Sequence, residues 1–527
     1  MPSSVFPGEA RISMHRSSLT RRTLLTRGAA IAAATWSAPL LLPARARAQS
    51  RTHHDAIVIG SGFGGAIAAY RLATAGVDVR TLERGRAWCQ SDDAIVFDSA
   101  LDYRDPRWLW EPKVTRTSGL MQPYLAGSVG IATTACVGGG SIIYAGATVP
   151  PVRRYFEKIF PAALSYDELE TVYWPRVLAR LDATHAPADL LGSAPFAHVR
   201  SADAQLARAG MVTEPVRSTF DWDIVRQVFD RPGGSRTVDA AGCSWNRNSA
   251  KKSVTRNYLR WAADRPNWSL LPLRDVQNIA HENGKFVIDV AVIDEAGGSE
   301  TYTCHHLFVA AGSVGTTRLL LRSRARGGLP DLNEHLGTMV GDNGDQVTWR
   351  VADELAAAGP QASAIVTSAM VDDEPDHPPI RVESIGLPGP PGEAPILAQL
   401  STTADWENRA SWTMQGSEPT LSFAPDSWRD SLSAALRVHE RVGASASALS
   451  RAGGAPFVPG MSLTAHPLGG VPIGRATDID GRVIGYPNLY VIDGSLIPGN
   501  CAAANPSLTI AGIAERVMDR VIADVVR

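Results

Sequence analysis

The 527-residue chain is poor in cysteine: Cys89, Cys136, Cys243, Cys304 and Cys501 are widely spaced, and no two form a CxxC pair. An odd, scattered set argues against a disulfide framework, and without CxxC no metal site is expected; free buried thiols are the default, with one bridge left open. Beyond residue 48 no stretch reaches 18 uninterrupted apolar residues, so the body should not span a membrane. Charge is also scarce: 51 basic and 53 acidic residues give a net charge of -2, which supplies no electrostatic ground for a nucleic-acid partner. With 44% hydrophobic and 20% charged residues, the composition excludes a disordered or fibrous chain. No internal repeat is visible. The length suggests two to four domains or one large two-lobed unit.

The little charge there is lies unevenly. Residues 1–48 hold seven arginines and a single acid, Glu9, so a basic leader precedes a more acidic body. Within the leader, Thr20-Arg21-Arg22-Thr23-Leu24-Leu25 is a twin-arginine signature. The apolar stretch Gly28–Leu42 follows, shorter than the ~20 residues that span a bilayer. Ala46-Arg47-Ala48 then offers small side chains for cleavage. The expectation is a removed signal peptide and a secreted or periplasmic protein, with an uncleaved anchor as the alternative. The twin-arginine route carries folded proteins, which suits a chain that binds its cofactor before crossing.

The body opens on a βαβ pattern. His54–Ile59 reads as a buried strand, Gly60-Ser61-Gly62-Phe63-Gly64-Gly65 as a tight turn, Ala66–Ala73 as a helix and Val77–Leu82 as a second strand ending at Glu83. Gly60 permits the turn, Gly62 lets the backbone approach a pyrophosphate, and Gly65 lets the helix pack on the strand. The helix N-terminus faces the phosphates, and Glu83, 18 residues after Gly65, can accept hydrogen bonds from a ribose. Dinucleotide binding is the expectation.

Further along, Val137–Gly146 contains three consecutive glycines, Gly138, Gly139 and Gly140, which invite close approach of backbone to a ligand. Tyr166–Leu181 reads as a helix, and Ser269–Leu273, Phe286–Val292 and His306–Ala310 read as strands, the last running into Gly312. Near the C-terminus, His466-Pro467-Leu468-Gly469-Gly470 precedes a strand, Asn488–Ile492, that ends at Asp493-Gly494-Ser495. Asn505-Pro506-Ser507 then introduces an amphipathic helix, with Pro506 suited to its first position and Asn505 able to cap it.

On Ile57–Glu83, Val137–Phe156, Leu307–Leu321 and His466–Val521 the chain resembles the glucose–methanol–choline (GMC) family of FAD oxidoreductases. Within that family it is most similar to the bacterial cholesterol oxidases that hold FAD noncovalently. The resemblance implies an α/β fold: a Rossmann-like FAD-binding domain of the GMC type and a second α+β domain, a mixed or antiparallel sheet covered by helices, that encloses the substrate. It places the FAD domain at 49–152, 240–342 and 461–527, and the substrate domain at 153–239 and 343–460. By position it brings Phe63, Gly64, Glu83, Gly140, Val276, Asp493, Gly494 and Ser507 to FAD, alongside Gly60, Gly62, Gly65, Gly139, Ser141 and Tyr144 of the two glycine loops. Val276 would lie near the adenine, and the helix opening at Pro506 would point its positive end at the flavin.

The same resemblance assigns the chemistry. His466 corresponds to the family histidine that binds the substrate hydroxyl, a residue type whose pKa lies near working pH. Asn505 corresponds to the side chain that contacts both flavin and substrate. Glu383, in Ile380-Arg381-Val382-Glu383-Ser384-Ile385, aligns with the glutamate that moves a proton when the 5-ene-3-one becomes the 4-ene-3-one, and burial would raise its pKa for that task. Arg381, two residues away on the same strand face, would hold the carboxylate ionised if it paired with it. Three positions depart from the cholesterol-oxidase pattern: Tyr144 stands where asparagine is common, Ala147 where methionine is usual, and Arg381 where an aromatic is expected. No His or Cys stands at the usual covalent attachment position in Gly138–Gly146. The implied function is oxidation of a sterol 3β-hydroxyl with O2 as acceptor and isomerisation of the product. The alternative is a dehydrogenase of another alcohol in the same family, passing electrons to a quinone or haem partner.

Overall fold

The computed structural model describes residues 51–88, 110, 118–230, 250–293, 297–352, 355, 358–359, 361–362, 364–373, 377–387, 396–445, 450–452 and 462–526. The chain divides into two compact units, 1–48 and 49–527, and the described residues all belong to the second. The twin-arginine leader, Cys89 and Cys243 lie outside them. Among the described residues no helix is long and apolar enough to cross a membrane.

The first layer grows from the apolar run at the start of the body. Strand β1 (Thr52–Ile59) is buried along Ala56–Ile59, as a strand flanked by parallel neighbours on both sides must be. Gly60 (φ +95°) turns the chain into helix α1 (Phe63–Thr74), and β2 (Val79–Leu82) returns parallel to β1. An antiparallel pair follows, β3 (Met121–Ala126) with β4 (Val129–Thr134), and then the short β5 (Thr213–Pro215). Strands β6 (Trp268–Leu271), β7 (Arg274–Glu282), β8 (Lys285–Val292) and β9 (Ser299–Val309) complete most of the first sheet. Its order is β6-β2-β1-β9-β8-β7; β6, β2, β1 and β9 run parallel, and β7-β8-β9 form an antiparallel meander. The sequence pattern locates β8 closely, but β9 begins at Ser299, seven residues before the expected start. Its added first residues, Ser299–Thr301, pair only with β8, and the parallel pairing with β1 runs from Tyr302 to Val309.

The second layer is antiparallel throughout. Strands β10 (Asp345–Ala352), β11 (Thr367–Val371), β12 (Ile380–Leu387) and β13 (Ile396–Thr403) join β5 and β16 (Ser450–Ala452) in the order β16-β10-β13-β12-β11-β5. Between these strands in sequence lies the hairpin β14 (Ser411–Gln415) and β15 (Glu418–Ser422). One face of the six-stranded sheet packs Ala369, Val371, Ile380 and Val382 against Leu206 of helix α2 (Ala197–Arg208) and Ala434, Ala435, Val438 and Val442 of helix α4 (Arg429–Ser445), α3 being Gly312–Ala325. Side chains alternate along a strand, so Arg381 and Glu383 project from the opposite face. The chain closes with β17 (Ser462–Thr464), β18 (Leu489–Val491), which pairs with β9, and helix α5 (Ser507–Val525).

The expected helix over Tyr166–Leu181 is three pieces: a turn at Tyr166–Glu168, a π-helical turn at Leu169–Tyr173 and a helix at Trp174–Arg180. Pro175 explains the break, because its ring lacks an N–H and clashes with the carbonyl four residues back, and the wider turn absorbs both. This segment is tied to α1 and α5 through Glu515. Its carboxylate is fully buried and accepts from Arg71 (2.6 Å), Arg176 (3.5 Å), Arg180 and the Tyr258 hydroxyl (2.8 Å).

Candidate active site

The glycine fingerprint forms a backbone cradle. A Cβ on Gly60 would overlap the Ala310 carbonyl, one on Gly65 the Gly60 carbonyl, and one on Gly64 the carbonyl of Ile492. The second glycine loop closes on the first: a Cβ on Gly139 (φ +51°) would meet Gly62 Cα at 2.8 Å. Ser61 links the two loops, since its hydroxyl donates to Glu83 Oε2 (2.6 Å) and accepts from Gly138 N–H (3.1 Å).

Glu83 therefore sits differently from the expectation. Its carboxylate is buried and accepts from Ser61 N–H (3.0 Å), the Ser61 hydroxyl and Gly85 N–H (2.8 Å). Burial raises its pKa against these hydrogen bonds. The acid closes the turn with the backbone of its own βαβ unit, leaving only its remaining lone pairs for a ribose. Val276, on β7, lies two residues beyond Arg274, whose N–H bonds Glu83 O (2.8 Å).

Three further elements converge on the cradle. Asp493 accepts from Ser495 N–H (2.9 Å), the Ser495 hydroxyl (2.5 Å), Gly312 N–H (2.8 Å) and the Thr316 hydroxyl (2.5 Å), which locks the segment carrying Gly494 to the start of α3. Ser141 donates to Gly138 O (2.7 Å) and accepts from Val254 N–H (3.2 Å), and Ser507 donates to Ala147 O (3.0 Å). Tyr144 stands edge-on to Phe63 with ring centroids 5.4 Å apart, and its buried hydroxyl meets Thr219. Gly140 has open space where a Cβ would go. Lys251, which the sequence did not single out, donates from Nζ to Ile142 O (2.6 Å) and Tyr144 O (2.9 Å) and so pins the second loop.

Helices α1 and α5 begin at Gly62 and Pro506 with no side-chain cap and no acid in the first turn. Two uncapped N-termini beside glycine loops in which Gly60, Gly64, Gly65 and Gly139 leave no room for a Cβ fit a dinucleotide with a charged pyrophosphate and an electron-rich ring edge.

The second half of the site is made of side chains. On the other face of the six-stranded sheet, both oxygens of buried Glu383 accept from Asn505 Nδ2 at 2.8 Å. Asn505 is thus not the cap of α5. Its amide is turned to the carboxylate, and Pro506 takes the N-cap position. Burial raises the Glu383 pKa, against Asn505, Arg381 and His466. Arg381 does not bridge to it: its Nε donates to Ala503 O (2.8 Å) and its Nη1 to the Ser368 hydroxyl (3.0 Å). That contact holds a strained loop, because Ala502 and Ala503 both have positive φ (+55° and +56°).

His466 is set by a residue that the sequence reading missed. Its Nδ1 lies 3.0 and 2.9 Å from the two oxygens of Asp345, and its backbone N–H donates to the Thr464 hydroxyl (2.8 Å), which donates in turn to Asp345 Oδ2 (2.7 Å). Burial pushes the imidazole pKa down, but Asp345 and then Glu383 outweigh it and leave it raised. The available signal was Asp342-Asn343-Gly344-Asp345, a turn composition that delivers an acid to the start of a strand.

Residues 429–514 match the GMC oxidoreductase family. Through that segment the chain is similar to the GMC-type oxidoreductases. Two relatives are cholesterol oxidases. The Mycobacterium tuberculosis (strain CDC 1551 / Oshkosh) protein is 27% identical over 533 residues, covering 88% of this chain and 90% of its own; the Acinetobacter baumannii protein is 24% identical over 546 residues, covering 88% and 94%. Among solved structures, pyridoxine 4-oxidase from Mesorbium loti superposes with a TM-score of 0.62 at 16% identity, covering 89% of this chain and 99% of that one. That likeness is one of fold: this is the mixed α/β architecture of the GMC flavoenzymes, which bind FAD. In this chain the cradle is the part that would hold FAD.

Proposed function

We propose that this GMC oxidoreductase oxidises the 3β-hydroxyl of cholesterol or a related sterol, holds FAD noncovalently, uses O2 as final acceptor to give H2O2, and isomerises the 5-ene-3-one to the 4-ene-3-one. The convergence of Glu383, Asn505 and His466 carries the reading. They come from three separated segments and meet through hydrogen bonds and mutual charge. Bound FAD supplies a two-electron acceptor for the carbinol hydride.

The side chains do the rest. With Nδ1 on Asp345, His466 Nε2 is the ring atom left to take the hydroxyl proton. The Asn505 amide orients Glu383. That carboxyl, desolvated and not ion-paired by Arg381, takes a proton from C4 of the steroid and returns it at C6. We further propose that 1–48 directs export by the twin-arginine route.

A second reading is a GMC dehydrogenase of a more polar alcohol with a quinone or haem acceptor. It rests on Arg381, a buried cation on the strand face that also bears Glu383, where the cholesterol-oxidase pattern has an aromatic residue.

Glu383→Gln separates these readings. Given cholesterol, the variant should still bleach its flavin and release mainly the unconjugated ketone, read by ultraviolet absorbance. Undiminished conjugated product removes Glu383 from the isomerisation. An unmodified protein whose flavin no sterol bleaches supports the dehydrogenase.

A further inference from the structure

Asp345 belongs to no motif in the sequence, yet more polar contacts end on it than on any other group around His466. The turn before it is built for placement. Asn343 (φ +60°) and Gly344 (φ +65°) are consecutive left-handed residues, and a Cβ on Gly344 would overlap the Thr403 carbonyl. Asp345 follows as the first residue of β10, 7% exposed. Its oxygens accept from His466 Nδ1, from the Thr464 hydroxyl and from Asn343 Nδ2 (3.3 Å). Asn343 reaches further: its amide also donates to Ala504 O (3.1 Å) and its oxygen accepts from Cys501 N–H (2.8 Å). One turn therefore fixes the ring of His466 and the backbone that leads into Asn505.

We propose that Asp345 is the positioning residue of the oxidation step: it holds His466 as the Nδ1–H tautomer, so that Nε2 presents a lone pair to the substrate hydroxyl. The inference rests on the reading that His466 takes that proton. The balance is simple. The hydroxyl proton passes to Nε2, the carbinol hydride leaves for FAD, and the resulting imidazolium faces the Asp345 carboxylate. The titratable groups acting on the ring are Asp345 on β10 and Glu383 on β12, with Arg381 beyond Glu383 on the same strand. Glu383 also favours the imidazolium, but among the described residues Asp345 is the acid hydrogen-bonded to the ring. Removing its charge leaves burial to dominate, and the imidazole should then lose its proton at lower pH.

The test uses holoenzyme labelled with 15N-histidine, in which the His466 signal is assigned by its loss in His466→Gln. In the unmodified protein, above its titration, the ring should carry the proton on Nδ1. In Asp345→Asn the titration of His466 should move to lower pH by about one pH unit. Anaerobic bleaching of the flavin by detergent-dispersed cholesterol should slow ~10²-fold or more, with little change in KM. Asp345→Glu should restore the titration and recover the rate to within ~10-fold. An unmoved titration with an undiminished rate in Asp345→Asn overturns the proposal. If that variant fails to fold or to keep FAD, the unmodified protein decides: an Nε2–H tautomer overturns the assignment and Nδ1–H supports it. The titration needs no substrate. A protein that oxidises no alcohol, or whose rate survives His466→Ala, therefore defeats the oxidation reading and still leaves the Asp345–His466 pairing to be judged.

Discussion

The cradle around α1 and the cluster around His466 are built on opposite principles. The cradle is backbone against backbone: Gly60, Gly64 and Gly65 press on the carbonyls of Ala310, Ile492 and Gly60, and its polar side chains, Ser61, Glu83 and Asp493, serve mainly to tie loops together. The cluster is side chain against side chain: Asp345 on His466 and Asn505 on Glu383, with the backbone only supplying position. The first should fail by steric overlap, which no rotamer change relieves. The second should fail by lost chemistry while the fold persists.

The largest expected effect breaks the cradle. Gly64→Ala places a methyl into the Ile492 carbonyl, so α1 or the segment leading to Asp493 must move. The purified variant should be colourless and poorly folded. A yellow Gly64→Ala protein with normal flavin content would show that the two elements separate freely, contrary to the packing described.

The next effect tests what holds the cradle's two helices together. Glu515→Ala leaves Arg71, Arg176 and Arg180 facing a buried site without its carboxylate, and Asp519 compensates only Arg71 and Arg176. A loss of about 3 kcal/mol in unfolding free energy follows from removing one partner of a buried charge network. The activity per bound flavin should not change. Denaturant unfolding checks the first statement and flavin-normalised turnover the second.

The smallest effect sharpens the other side. Asp342 is buried beside the turn that delivers Asp345, and burial, with Asp345 and Asp405 adding to it, pushes its carboxyl up to about 7. The unfolded carboxyl ionises near the ordinary 3.8, so across this window the folded state holds the extra proton. Stability contributed by the protonated carboxyl is complete below the lower value and is lost as pH rises towards the upper one. Asp342→Asn imitates the protonated form. It should flatten the fall of Tm over that window, and it should be more stable than the unmodified protein at the alkaline end. A Tm profile parallel to that of the unmodified protein would contradict the account.

The same division explains what the sequence made legible. The cradle could be read because its determinants are consecutive: strand, glycines, helix and terminal acid fall within Ile57–Glu83. Even there the role of Glu83 depended on Ser61, which bonds it only after the turn has closed. His466, Glu383 and Asn505 were reached through family resemblance, since nothing local connects residues 122 positions apart, as Glu383 and Asn505 are. Asp345 was not reached at all. Its bond to His466 spans 121 positions, and the two left-handed residues that aim it have no periodicity to betray them. Asn505 beside Pro506 reads as a helix cap by local rule, and a buried carboxylate on another strand overrode that rule.

The most direct test of the central claim, that His466 accepts the hydroxyl proton while a separate backbone cradle holds the flavin, is anaerobic mixing of His466→Ala holoenzyme with detergent-dispersed cholesterol. The account predicts full flavin content and bleaching slowed ~10²–10⁴-fold relative to the unmodified protein. Bleaching at the unmodified rate, with flavin fully bound, would contradict it.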